Sequence, residues 1–241
     1  MGYISERNQK ERIDIIDALR GTAVFLMVVH HFLYDLTEFL DAPIWLFTNP
    51  VFDALHIVFA GVFISLAGVS SRFSRSNFKR GMLTLVAALI ITAVTVIIDM
   101  PILFGILHLL AVCMLFYAAF GKLLEKLPPA VLLISSVLLT IGSNILIDKV
   151  HLESKIWWFF GFDVPGFASY DYFPLLPWFF VFIAGTALGK FIKDKKLPNW
   201  FYRAKVPFLA PLGRHSLIIY MAHQPVLYAI TMVLMLFKQK G

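Results

Sequence analysis

Within the stretch IDALRGTAVFLMVVHHFLYDL, residues 16–36, four side chains could do chemistry: Arg20, His30, His31 and Asp35. An arginine holds phosphate or carboxylate, a histidine moves a proton near neutral pH, and a carboxylate beside it can fix its tautomer. Arg20 and His31 are eleven residues apart. At 100° per residue that is about 20° beyond three full helical turns, so the two share one face, roughly 16 Å apart along the axis. Asp17 and Asp35 fall on the same face, three residues before Arg20 and four after His31. His30 is turned away and shares its side with Leu26 and Tyr34. Of the two adjacent histidines, His31 is the candidate.

The element that must carry these groups is a membrane helix. The chain has 241 residues, 59% of them apolar and 15% charged, well outside the balance of a soluble domain. A bilayer core takes about 20 apolar residues per helix, and seven segments qualify: 18–37, 53–70, 82–98, 102–120, 129–147, 172–190 and 215–236. The expected fold is an all-α polytopic membrane protein, one domain over residues 1–241, with no soluble domain. The polar opening MGYISERNQKERID does not read as a cleavable signal peptide, and Cys113, the sole cysteine, can form no internal disulfide. Of the 21 lysines and arginines, 17 fall on one side of the seven spans and four on the other. That bias predicts a cytoplasmic N-terminus and an extracytoplasmic C-terminus in a cell membrane.

Orientation assigns a depth to the other polar residues. Asp53 and His56 belong near the outer end of the second helix, His108 a third of the way into the fourth from outside, and Asp171 and Tyr172 at the outer surface. Tyr220, His223 and Gln224 fall about midway along the seventh helix, just before Pro225, which cannot donate to the carbonyl of Met221. Ionisable residues inside a membrane mark a site or a pathway, and His31, Asp35 and His108 gather in the outer half. Gly61, Gly68, Gly185 and Gly189 suit close helix packing. The sequence has no Walker loop, dinucleotide fingerprint or HExxH motif, which removes nucleotide hydrolysis and zinc proteolysis. No metal site and no nucleic-acid partner is expected. Two other classes stay open: a transporter or flippase, suggested by the polar seam and Pro225, and a b-type haem protein using two of His31, His108 and His223.

The blocks RIDIIDALRGTAVFLMVVHHFLYDL, GILHLLAV, DYFPLLPWFFVFIAGTALG and GRHSLIIYMAHQPVL resemble the membrane family related to the catalytic domain of heparan-α-glucosaminide N-acetyltransferase. That family lies within a broader transmembrane acyltransferase superfamily that includes acyltransferase family 3. The resemblance implies transfer of an acetyl group from cytoplasmic acetyl-CoA to a sugar or glycan hydroxyl or amine at the outer face. The family 3 pattern of an arginine, ten residues and a histidine is met by Arg20 and His31. The loop TEFLDAPIWLFTNPVFD holds no histidine where the heparan-type enzymes place theirs, so His31 takes the role through the family 3 spacing.

On this reading the catalytic candidates are His31, Asp35, His108 and Asp171. Those for holding the donor are Arg20, Asp17, Tyr220, His223 and Gln224, with the basic 70–81 and 190–214 loops at the phosphate end. His31 is the general base, and either Asp35 or Asp171 is its carboxylate partner. His108, Tyr172 and His223 are the oxyanion candidates. Direct transfer and an acetyl-His31 intermediate both remain open, as do O- versus N-acylation and assembly into homo-oligomers.

Overall fold

A computed structural model of the chain describes residues 12–150, 152 and 154–238. The first part of the N-terminal arm, with Arg7 and Lys10, and the C-terminal Lys240 lie outside the described residues. Among the described residues nine helices follow in order: α1 Asp14–Phe39, α2 Pro50–Phe73, α3 Asn77–Ile97, α4 Ile106–Leu124, α5 Pro129–Lys149, α6 Leu175–Lys193, α7 Asn199–Arg203, α8 Leu209–Arg214 and α9 Ser216–Lys238. Short 3-10 turns occupy Ile44–Leu46 and Lys155–Phe160. Among the described residues seven helices are long and apolar enough to cross a membrane, as the hydropathy pattern predicts.

Helix ends follow local chemistry. The Ser76 hydroxyl accepts from Lys79 N at 3.2 Å, so α3 begins at 77 and not at 82. Asn49 Oδ1 accepts from Val51 N and Phe52 N, both at 3.1 Å, and opens α2. Pro129 starts α5 where its missing N–H is not needed. The fourth and sixth spans begin later than hydropathy suggests, at 106 and 175. Residues 101–104 and 170–173 pair by backbone: Tyr170 N donates to Pro101 O at 3.2 Å and Phe173 N to Phe104 O at 2.9 Å. Apolar content alone cannot tell such a strand-like pairing from a first helical turn.

The chain divides into two compact units, Met1–Asp53 with Leu197–Gly241, and Ala54–Lys196. In the first, α1 meets α8 at its N-terminal half and α9 further on. The α8 crossing is close. A Cβ on Gly213 would sit 1.7 Å from Asp17 O, and one on Gly21 would sit 2.0 Å from Leu209 O, so only glycine allows the approach. Helices α1 and α9 run parallel, because their contacts climb together: His31 with His223, Asp35 with Gln224, Phe39 with Tyr228.

In the second unit Gly68 and Gly185 play the same part between α2 and α6, where added methyls would meet Phe182 O at 2.1 Å and Ser65 O at 2.0 Å. Gly61 has ordinary room, 3.7 Å from Trp178. Leu83, Leu89 and Ile97 on α3 and Ile134, Leu138 and Ile141 on α5 are exposed. That is the distribution a lipid-facing surface requires. The chain is a multi-pass membrane protein.

Candidate active site

The face of α1 read from the sequence is built at both ends. At its start, Asp17 uses both carboxylate oxygens: Oδ1 accepts from Arg20 Nη1 at 3.0 Å, and Oδ2 from Arg214 Nε at 3.3 Å. Arg214 Nη2 also donates to the buried Asp14, at 2.9 Å, and Lys205 stands 3.9 Å from Asp14. Two acids in the first turn suit the positive end of a helix dipole. Arg20 Nη1 further reaches Gly213 O at 3.5 Å. Asp14 and Arg214 were not singled out by spacing. The available signal was the i, i+3 recurrence of acids at 14 and 17, opposite a loop carrying seven cations.

Five turns on from Asp17, Asp35 is fully buried, at 0% exposure. Its Oδ1 accepts from Gln224 Nε2 at 2.9 Å, while Oδ2 has no partner. One turn earlier, His31 is half-buried with Nδ1 2.9 Å from Met27 O. A carbonyl only accepts, so Nδ1 carries the proton and a neutral His31 presents Nε2 as a lone pair. The same reasoning holds for His223, whose Nδ1 meets Tyr220 O and whose buried Nε2 has no partner. The His31 and His223 rings stand edge to face with centroids 4.7 Å apart. That contact leaves no room for a porphyrin between this pair. Tyr220 lies against His223 at 5.4 Å. Tyr220, His223 and Gln224, grouped in the sequence with donor binding, therefore stand at the His31 end of α1.

His30 faces elsewhere. Its ring lies on Phe47 at 4.8 Å, beside Tyr34, which touches the same ring at 5.2 Å. The 100° offset along the helix is realised as two different environments.

His108 and Asp171 belong to the other unit, where both serve the start of α4. Gly105 N donates to His108 Nδ1 at 3.2 Å, and Asp171 Oδ2 accepts from Ile106 N at 3.3 Å. Thr92 gives its one proton to Ile102 O at 2.6 Å, so the 3.2 Å contact between Thr92 Oγ1 and His108 Nε2 requires the histidine to donate. A neutral His108 is then satisfied at both nitrogens. Tyr172 donates to Trp158 O, and burial pushes its phenol up to about 12. The donors of His108 and Tyr172 are thus engaged within their own unit.

The phosphate-end cations also sort themselves. Arg72, counted in the 70–81 loop, has a side chain only 4% exposed. It pairs with Glu125 at 2.8 Å, donates through Nε to Thr186 O at 3.0 Å and lies over Tyr117. Among the described residues no group of three or more His, Cys, Asp or Glu is arranged to hold a metal ion.

Residues 12–225 match the family model described as heparan-alpha-glucosaminide N-acetyltransferase, catalytic. The chain belongs to that family. The match takes in α1, with Arg20 and His31, and extends into α9 past His223 and Gln224, so both walls of the buried cluster lie inside the family region. It makes this protein a transmembrane member of an acetyltransferase family. Comparison with curated proteins and with solved structures gave no match.

Proposed function

We propose that this protein transfers an acetyl group from acetyl-CoA, entering from the cytoplasmic side, to a hydroxyl or amine of a sugar or glycan acceptor entering from the opposite side. His31 acts as the general base. The observation that carries the proposal is the state of His31: Nδ1 is held by Met27 O, leaving Nε2 a lone pair on a ring one helical turn from the buried Asp35. Nε2 takes the acceptor's proton as that oxygen or nitrogen attacks the thioester carbonyl. The tetrahedral intermediate then expels the coenzyme A thiolate, which takes the proton back from the imidazolium. Asp35, one turn away, stabilises the charged ring. Arg20, three turns toward the other end of the same face, holds a phosphate of the donor, at a helix start where Arg20, Arg214 and Lys205 outnumber Asp14 and Asp17.

The test is acetyl transfer by the purified protein in lipid nanodiscs. His31→Ala should lower the rate by about 10²–10⁴-fold, the usual contribution of a general base, with unfolding temperature unchanged. His30→Ala should lower it by less than about tenfold. Equal losses from the two substitutions would sink the assignment. Solute uptake into vesicles with no acetyl-CoA consumed would favour a transporter instead.

A further inference from the structure

Helices α7 and α8 have five and six residues, too few to cross a bilayer. They lead into α9 and lie against the N-terminal half of α1, so residues 199–214 stay at one face of the membrane. Their large apolar side chains are nonetheless exposed, Trp200 by 66% and Phe208 by 85%. Between these two in the chain, Arg203 and Lys205 are exposed as well. The Lys205 side chain is 78% exposed and stands 3.9 Å from Asp14, which already holds Arg214 at 2.9 Å. Exposed rings beside exposed cations suit a bilayer boundary, where the rings sit at headgroup level and the cations meet phosphates.

The far end of the same unit supplies an internal comparison. Helix α1 has 26 residues, a length of about 39 Å at 1.5 Å per residue, and the turn that follows exposes Ile44 and Trp45, the latter by 62%. Residues 38–53 hold no lysine or arginine, but three acids, Glu38, Asp41 and Asp53. Lys238, at the end of α9, donates to Asp41 Oδ2 at 2.9 Å and to Leu40 O at 2.8 Å. Tryptophan is a boundary residue at either face, so Trp45 and Trp200 do not by themselves distinguish the two ends. Charge does. At the α7–α8 end cations outnumber acids, since Arg203 joins Arg20, Lys205 and Arg214 against Asp14 and Asp17. We infer that the face carrying Trp200, Arg203, Lys205 and Phe208 docks on the headgroups of anionic phospholipids, while the Trp45 end takes phospholipid without regard to charge. Each cation near an anionic surface strengthens association about fivefold, and the two rings fix the depth at which it acts. The inference concerns how this unit is seated in the bilayer and does not depend on the acetyl-transfer proposal.

Tryptophan quenching by brominated lipids tests this. The protein is placed in phosphatidylcholine nanodiscs containing an increasing share of brominated phosphatidylglycerol or of brominated phosphatidylcholine. The part of the quenching due to Trp200 is the difference between wild type and Trp200→Phe, and Trp45→Phe gives the part due to Trp45. The expected result is a preference for phosphatidylglycerol of about fivefold or more at Trp200, and a ratio near unity at Trp45. Arg203→Gln combined with Lys205→Gln should bring the Trp200 ratio close to unity. The wild-type contrast between the two tryptophans stands whether or not that double variant folds. Equal ratios at Trp200 and Trp45, or a Trp200 preference unchanged in a folded double variant, would overturn the inference. So would a preference abolished by inorganic phosphate and kept in chloride at matched ionic strength, because the face would then take a free phosphate and not a lipid.

Discussion

Arg20 is the residue whose assigned role is most open to direct measurement. Its guanidinium is tied to Asp17 at 3.0 Å, and Asp17 is shared with Arg214. Three cations, Arg20, Arg214 and Lys205, face two carboxylates, Asp14 and Asp17, and leave net positive charge at the start of α1, where a phosphate would be attracted. Arg20→Ala should raise the KM for acetyl-CoA by about tenfold or more with a smaller change in kcat, measured with acceptor saturating. An unchanged KM would remove Arg20 from the donor site. Arg20→Lys should restore only part of the loss, because an ammonium lacks the forked geometry that meets phosphate and Asp17 together.

At the scale of elements, glycine contacts set how closely helices approach. Gly213 brings α8 against the first turn of α1, with Asp17 O 1.7 Å from where a Cβ would stand. Gly213→Ala must push the two apart and disturb the Arg214 ion pairs with Asp14 and Asp17. A loss of about 1–3 kcal/mol is expected from such overpacking, read as a lower unfolding temperature in detergent together with a raised KM for acetyl-CoA. In the second unit, Gly142 has open space around it, so Gly142→Ala should leave both readings unchanged. Small residues were legible in the sequence as packing positions. Which of them made a backbone contact was not, because that depends on the rotation of each helix about its own axis.

For the whole molecule the outstanding property is sidedness. The 17-to-4 bias of lysine and arginine predicts a cytoplasmic loop before α3 and an external segment at 44–49. Two exposed positions report on this, Thr48 and Phe78. Cys113 is buried and should not react. A membrane-impermeant maleimide on intact cells should label Thr48→Cys and spare Phe78→Cys, and the reverse pattern would invert the orientation and with it the side from which acetyl-CoA enters.

Much of this protein was written in one dimension. The number of spans follows from apolar run length, since a bilayer sets a minimum for any helix that crosses it. The common face of Asp17, Arg20, His31 and Asp35 follows from 3.6 residues per turn, and so does the separation of His30 from His31. What tertiary structure decided was the partner of each group. Gln224 met Asp35, Arg214 met Asp17, and His108 and Asp171 turned to the start of α4. Hydrophobic patterning orients a helix toward a neighbour but does not name the neighbour. Pairings across 189 or 197 residues arise only when helices pack and bring complementary groups within reach of one another.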